Sequence, residues 1–445
     1  VIRISGKDAI AITDRIFTPV GKHPLPLSER KAYTMAFGHI RQDDGEIIDE
    51  VLIGLFKSPH SYTGEDCVEI SCHGSSFILQ QVMQLLIRKG CRAAGPGEFT
   101  QRAFLNGKMD LSQAEAVADL IASSSAATHR MAMNQMRGGF SRELSALRER
   151  LLHLTSLMEL ELDFSDHEEL EFADRSELET IAGDIEKVIS GLVHSFSVGN
   201  VLKNGIPVAI VGETNAGKST LLNTLLNEEK AIVSDIHGTT RDVIEDTVNL
   251  SGITFRFIDT AGIRDTHDTI ENMGIARSFH KMEQAEIVLW VVDNTCAEAQ
   301  IRQLSPRILP LCSNKQLIIL LNKSDQVSAV PTKLSGLPEN TVTLSISAKE
   351  KTGIQELQNL LVKTASVPEL TSSDLIVTNV RHYEALSLAL EDIHRVQNGL
   401  QTHLSGDFIS QDLRECLFHL AEIVGGEITA DEVLGNIFMK FCIGK

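Results

Sequence analysis

The sequence predicts a multidomain chain that mixes α/β and all-α parts. An α+β region comes first, then a helical domain, and an α/β domain with a mixed β-sheet and flanking helices is inserted into the helical one. Three observations carry this. Residues 1–107 alternate short β-like runs with helical ones, residues 108–203 and 367–445 repeat apolar residues at three-to-four spacing, and residues 204–366 interleave buried apolar runs with glycine-bearing loops. At 445 residues the chain is long enough for about three domains, each with its own core.

In residues 1–107, Glu46-Ile-Ile-Asp-Glu-Val-Leu-Ile-Gly-Leu-Phe56 reads as a strand and Phe77-Ile-Leu-Gln-Gln-Val-Met-Gln-Leu-Leu86 as a helix. From Leu111 to about Lys203 the pattern is helical. Leu144, Leu147, Leu151 and Leu154 form one apolar stripe, and Ile181, Ile185, Val188 and Leu192 form another. Asn204-Gly205 ends that helix. After Pro368 helices return, with Leu386, Leu390 and Ile393, then Leu413, Leu417 and Leu420, and a capping box at Thr429–Glu432 before a last helix. The stripes on both sides need partners, so the economical solution is one helical domain, 108–203 plus 367–445, interrupted by 204–366. There are no short repeats or low-complexity tracts.

The insert carries four motifs in order. Gly212-Glu-Thr-Asn-Ala-Gly-Lys-Ser219 is a complete phosphate loop, whose glycines let backbone N–H groups wrap an anion while Lys218 reaches the β/γ oxygens and Ser219 binds Mg²⁺. Its context fits, because Ile206-Pro-Val-Ala-Ile-Val211 reads as a buried strand and Ser219-Thr-Leu-Leu-Asn-Thr-Leu-Leu226 as a helix starting at the anion. Asp259-Thr-Ala-Gly262, Asn322-Lys-Ser-Asp325 and Ser347-Ala-Lys349 follow. A chance glycine-rich turn explains one such motif and explains four in order poorly. The insert is therefore expected to be a Ras-like P-loop G domain that binds and hydrolyses GTP.

Each loop has an expected task. Asn215, Ala216, Gly217, Lys218, Ser219 and Thr220 surround the phosphates. Asp325 accepts both the N1–H and the N2 amino group of guanine, a donor pair adenine lacks, so discrimination is expected to be large. Asn322 and Lys323 brace that loop, and the Ser347, Ala348, Lys349 segment brings the Ala348 backbone to guanine O6. Asp259 ends the run Phe255-Arg-Phe-Ile-Asp and holds Mg²⁺ through water, while the Gly262 N–H, after Thr260 and Ala261, meets the γ-phosphate. Where a Ras-like chain has a water-positioning glutamine, this one has Ile263, so another residue must orient the water. Glu271 is the nearest strong acid–base candidate; a solvated loop carboxylate is the competing reading. The loop Ser234, Asp235, Ile236, His237, Gly238, Thr239 and Thr240 has the composition of a first switch region, with Thr240 able to ligate Mg²⁺. Arg241 has the chemistry of an arginine finger, although Thr-Arg-Asp more often makes a local ion pair.

Composition narrows the function. The net charge of −19 argues against broad nonspecific binding to nucleic acid, so an RNA substrate would need a local basic patch or a partner to hold it. The acidic run from Asp163 to Glu171 would repel RNA, or else is a solvated connection between helices. Seven scattered cysteines without Cys-x-x-Cys spacing fit neither a disulfide framework nor a structural zinc site. No signal peptide and no apolar run near 20 residues is present, which predicts a cytoplasmic protein with no membrane partner.

The patterns Asn-Ala-Gly-Lys-Ser, Gly-Thr-Thr-Arg-Asp and Asp-Thr-Ala-Gly-Ile-Arg, with the terminal Phe441-Cys-Ile-Gly-Lys445, resemble the bacterial tRNA modification GTPase family MnmE (TrmE). Val1-Ile-Arg-Ile-Ser-Gly6, Ser61-Tyr-Thr-Gly-Glu-Asp-Cys-Val-Glu69 and Pro96-Gly-Glu-Phe-Thr-Gln-Arg-Ala-Phe-Leu-Asn-Gly-Lys108 match as well, so the likeness spans the chain. It implies that GTP hydrolysis is activated by K⁺-dependent dimerisation of G domains, with Asn215, Ser234, Ile236 and Thr239 around the K⁺, and that Glu271 is the catalytic glutamate. It also implies that residues 1–107 form a dimerising domain that binds 5,10-methylene-tetrahydrofolate (5-formyl-tetrahydrofolate as its analogue) through Arg3, Glu69, Lys108 and Lys445, with Cys442 beside the one-carbon unit. Without the resemblance, Arg3 and Lys108 read as surface charges, Glu69 as a strand-edge acid and Cys442 as a small hydrophobe. The implied assembly is a homodimer joined to the FAD-dependent MnmG (GidA) in a heterotetramer, aminomethylating the wobble uridine of certain tRNAs. The resemblance further implies a short Gly/Arg-rich segment ahead of Val1. Two rival readings are a ribosome-assembly switch GTPase, whose usual mark is a basic RNA-binding tail, and a self-assembling mechanical GTPase, which would show a basic amphipathic face.

Overall fold

The computed structural model describes residues 1–123, 125–163, 175–230, 246–258, 282–313, 315–327, 337–338, 341–365 and 375–426. The chain divides into two compact units. One comprises 1–122, 132–190 and 384–445, and the other 123–131 and 191–383. Among the described residues, no helix is long and apolar enough to cross a membrane.

The first unit opens with five strands: β1 (Ile2–Ser5), β2 (Phe17–Pro19), β3 (Thr34–Arg41), β4 (Ile47–Phe56) and β5 (Cys67–Ser71). They form one antiparallel sheet in the order β1-β5-β4-β3-β2. Strand β4 shows why. Asp49, Val51, Ile53 and Leu55 alternate with exposed or half-exposed neighbours, the period-two pattern of a sheet with one covered face. That face packs on α1 (Ala9–Asp14) and α2 (Ser76–Arg88), where Ile10, Val82, Leu85 and Leu86 close the core. The expected strand and helix are thus both found, each within two residues of its expected ends.

Helices follow: α3 (Glu98–Leu105), α4 (Leu111–Ala122), α5 (Ala126–Met136), α6 (Gly139–Asp163) and α7 (Arg175–Asn204). Leu144, Leu147, Leu151 and Leu154 of α6 are buried as the spacing predicts. On α7 the buried line is Leu178, Ala182, Ile185, Ile189 and Leu192, while Ile181 and Val188 are only half-buried. Both lines share Ile185 and Leu192, so the helix buries the face next to the predicted one.

The second unit holds β6 (Ile206–Val211), α8 (Lys218–Lys230), β7 (Asp246–Leu250), β8 (Ile253–Phe257), β9 (Ile287–Asp293), α9 (Ala297–Ile308), β10 (Gln316–Asn322), β11 (Val342–Ser345) and α10 (Ile354–Thr364). The sheet order is β11-β10-β9-β6-β8-β7, parallel except where β7 pairs antiparallel with β8. This is the mixed sheet with flanking helices that the sequence predicts. Both faces are covered: Val208, Leu289 and Leu320 meet α8 and α10, whereas Ala209, Trp290 and Ile319 meet α9. Burial on both sides makes β9 an unbroken apolar run from Ile287 to Val292. Burying one such aliphatic side chain stabilises the fold by about 1.5–3 kcal/mol. In the same unit Phe196 stacks on Tyr383 at 4.4 Å, and Ser195 Oγ accepts from the Val377 N–H at 3.0 Å.

The last two helices are α11 (Val380–Gln401) and α12 (Gly406–Val424). Residues 384–401 of α11 and all of α12 belong to the first unit, where Leu386, Ile393, Leu413 and Leu420 are buried and Leu390 and Leu417 half-buried. Helix α12 packs along α6. The capping box at Thr429–Glu432 lies outside the described residues.

Candidate functional site

Strand order reverses around β6: the chain passes from β8 on one side to β9 on the other. A cleft at the carboxyl ends of strands is expected at such a switch point. The loop from Gly212 to Gly217 turns there, between the end of β6 and the start of α8. Two glycines make the turn tight. At Gly212, φ +147°, a Cβ would lie 2.2 Å from the Val291 carbonyl oxygen, and at Gly217, φ +98°, it would lie 2.1 Å from Asn322 Nδ2. Asn215 takes φ +64°, a left-handed conformation that asparagine tolerates better than most residues. Lys218 Nζ donates to the Gly212 and Glu213 carbonyls at 2.7 and 2.6 Å, which holds its ammonium on the loop. Ala216 is buried, Ser219 is half-buried in the first turn of α8, and Thr220 is exposed. The N-terminus of α8 gives the loop an anion-favouring end.

Asn322 joins the phosphate loop to the base-side loops. Its Nδ2 donates to the Ala216 carbonyl at 2.8 Å, and its Oδ1 accepts the Ala348 N–H at 3.0 Å. The expected contact of the Ala348 backbone with guanine O6 would share that N–H. Thr224 Oγ1, from α8, donates to the Ala348 carbonyl at 3.0 Å. Ser347 Oγ donates to Asp325 Oδ1 at 2.6 Å and fixes the carboxylate, and the Lys349 side chain is exposed. Lys323 sits at φ +63° and pairs with Asp293 Oδ2 at 2.5 Å. Burial opposes the charge on Asp293, but the Lys323 ammonium and the Thr295 donors hold its carboxyl below the usual value. That pair secures a left-handed lysine that would otherwise cost about 1–2 kcal/mol.

The structure therefore brings together Asn215 to Ser219, Asn322, Lys323, Asp325, Ser347 and Ala348. Ser234, Asp235, Ile236, His237, Gly238, Thr239, Thr240, Asp259, Thr260, Ala261, Gly262 and Glu271 lie outside the described residues. Three residues escaped the sequence reading: Thr224, Asp293 and Gln300, whose amide bonds the Asp293 N–H and the Glu213 carboxylate. Asp293 carried a signal, as the first charged residue after a buried run at the carboxyl edge of the sheet; Thr224 and Gln300 carried none.

In the first unit Arg3 and Glu69 are opposite one another across β1 and β5, and their side chains pair at 2.6 Å. The Arg3 guanidinium lies 5.7 Å from the ring centres of both Tyr62 and Phe99. Lys108 Nζ donates to the Pro59 carbonyl at 2.9 Å, in the loop that also carries Tyr62. Arg102 bonds Glu65 and Glu98 and ties that loop to α3. Arg92 is the strongest of the donors that lower the Glu98 carboxyl to about 2. Cys442 and Lys445 lie outside the described residues.

Comparison with known proteins covers the whole chain. Residues 1–108 match the family described as GTP-binding protein TrmE N-terminus, and residues 111–442 match the MnmE helical domain. The tRNA modification GTPase MnmE of Bacteroides thetaiotaomicron is 66% identical over 100% of this chain and 96% of its own length, and that of Flavobacterium johnsoniae is 52% identical over the same shares. A solved structure of Era from Aquifex aeolicus bound to GDP and AlF4⁻ is 28% identical over 42% of this chain and 66% of its own, at a TM-score of 0.28. With family models matching residues 1–108 and 111–442 and relatives 52–66% identical along the whole chain, the chain belongs to the tRNA modification GTPase MnmE family.

Proposed function

We propose that this chain is the GTP-hydrolysing subunit of a tRNA-modifying complex. It adds an aminomethyl or carboxymethylaminomethyl group to C5 of the wobble uridine of certain tRNAs, using a tetrahydrofolate one-carbon unit. One observation supports the nucleotide part above all: Asn322 bonds both Ala216 and Ala348, so the phosphate-side and base-side loops are fixed to a single side chain. The backbone cradle at Gly212 and Gly217, too tight for any Cβ, fits phosphate oxygens.

In this reading Lys218 and the first amides of α8 bind the phosphates, Asp325 reads guanine, and Glu271 orients the attacking water. Ser219 and Thr240 would hold Mg²⁺, with Asp259 reaching it through water. Asn215, Ser234, Ile236 and Thr239 would hold K⁺, and such cations neutralise charge on the phosphate oxygens. Arg3, Glu69, Lys108 and Lys445 would hold the reduced folate, which supplies the one-carbon unit, with Cys442 alongside. The aromatic pair around Arg3 suits a flat heterocycle with polar edges. The domains would run 1–107, 108–203 with 367–445, and 204–366. The protein would act in the cytoplasm as a homodimer with MnmG and tRNA.

Nucleoside analysis of bulk tRNA tests this. A strain lacking the gene should lose the modified wobble uridine and regain it with the wild-type gene. A gene lacking the terminal Cys-Ile-Gly-Lys should spare GTP hydrolysis and fail to restore the nucleoside. Full modification in the deletion strain would overturn the proposal and revive the ribosome-assembly switch.

A further inference from the structure

Glu213 is an oddity for an anion site: a carboxylate immediately after the first glycine of a phosphate loop. At an effective protein dielectric of about 20, a full negative charge about 10 Å away weakens polyphosphate binding by roughly tenfold for each phosphate charge. The structure shows where this carboxylate goes. Gln300, on α9 and only 8% exposed, donates its amide Nε2 to Glu213 Oε2 at 2.9 Å. The other end of the same amide is also used, because Gln300 Oε1 accepts the Asp293 N–H at 2.9 Å. Asp293 in turn holds Lys323 of the base-side loop at 2.5 Å. Meanwhile the Glu213 carbonyl, not its carboxylate, takes the Lys218 ammonium at 2.6 Å.

We propose that Gln300 is a positioning residue for nucleotide binding: its amide draws the Glu213 carboxylate to α9 and anchors the end of β9 whose Asp293 fixes Lys323. This rests on the reading that the chain binds guanine nucleotides. A buried amide suits the task because one end donates and the other accepts, and a buried group with both ends satisfied has a single stable orientation.

The test is a double-mutant cycle on the full chain, read as the affinity for N-methylanthraniloyl-GDP at low and high salt, with melting temperature alongside. Gln300→Glu keeps the acceptor for the Asp293 N–H and replaces the donor with a second negative charge. It should weaken nucleotide binding about tenfold at low salt, with the deficit shrinking as salt screens the charges. Glu213→Gln removes a negative charge from the loop and should tighten binding. Gln300→Glu combined with Glu213→Gln restores the pair with donor and acceptor exchanged, and should return affinity to within about twofold of wild type. A purely structural role for Gln300 would lower the melting temperature without the salt dependence or the rescue. Wild-type affinity in Gln300→Glu, or a double variant as weak as Gln300→Glu alone, overturns the inference while leaving GTP binding intact. Failure of the wild-type chain to bind the probe would instead overturn the nucleotide reading itself.

Discussion

Asn322 Nδ2 donates to the Ala216 carbonyl oxygen at 2.8 Å, from the end of β10 to the middle of the phosphate loop. Asn322 is 3% exposed, so neither atom has water as an alternative partner. Asn322→Ala should therefore cost about 1–3 kcal/mol of stability through unpaired buried groups. It should also weaken GTP and GDP together, since both loops lose their brace. Chemical denaturation and nucleotide titration check the two effects; a stable variant with unchanged affinity would remove Asn322 from the site.

Gly217 meets the same side chain from the other direction. A Cβ there would lie 2.1 Å from Asn322 Nδ2, on a backbone at φ +98°. Gly217→Ala should thus break the Asn322 bond and strain the loop, weakening nucleotide binding by about tenfold or more. Isothermal titration with GDP measures it.

The proposed roles of Glu271 and K⁺ predict that hydrolysis separates from binding. Glu271→Ala should leave GTP affinity nearly intact and lower turnover by orders of magnitude, because a water-orienting residue acts mainly in the transition state. Turnover should be fast in K⁺ and slow in Na⁺ at equal ionic strength, and Asn215→Ala should erase that difference. Equal rates in the two salts would rule out K⁺ activation and return attention to Arg241.

The start of α3 makes a prediction in pH. The Glu98 carboxyl is lowered from 4.5 to about 2 by Arg92, against the opposing effect of burial, with help from the Gly95 N–H and Arg102. A carboxylate favoured by the fold stabilises it above its ordinary range, and that contribution disappears as pH falls from about 4.5 towards 2. Wild type should melt above Glu98→Gln at pH 7, with the gap closing in acid. A gap independent of pH would mean that Glu98 acts through packing alone.

Much of this was legible in the sequence, for local reasons. The run Ile206 to Val211 has the limits of β6 because a strand buried on both faces is apolar throughout and Gly212 must turn. The Leu144 to Leu154 stripe is buried as its spacing requires. The line on α7 was misjudged by one residue at two places, since Ile181 and Ala182 both satisfy the helical period and only the packing partner chooses between them. Gln300 and Thr224 were invisible because their roles come from neighbours 87 and 124 residues away. The Arg3–Glu69 pair, 66 residues apart, was not legible: the family likeness named both residues as folate contacts and did not pair them.

The central claim is that four loops make one guanine-specific site, and Asp325 tests it most directly. Ser347 Oγ fixes one carboxylate oxygen at 2.6 Å, which leaves the group aimed by the loop and not free to rotate. Asp325→Asn cannot accept both guanine donors, so its GTP affinity should fall by about a hundredfold or more while xanthosine triphosphate, whose ring presents the complementary pattern, becomes the better ligand. Competition binding of the two nucleotides to wild type and Asp325→Asn is the measurement. A reversal of preference is the expected result; unchanged GTP affinity with xanthosine triphosphate still excluded would contradict the account.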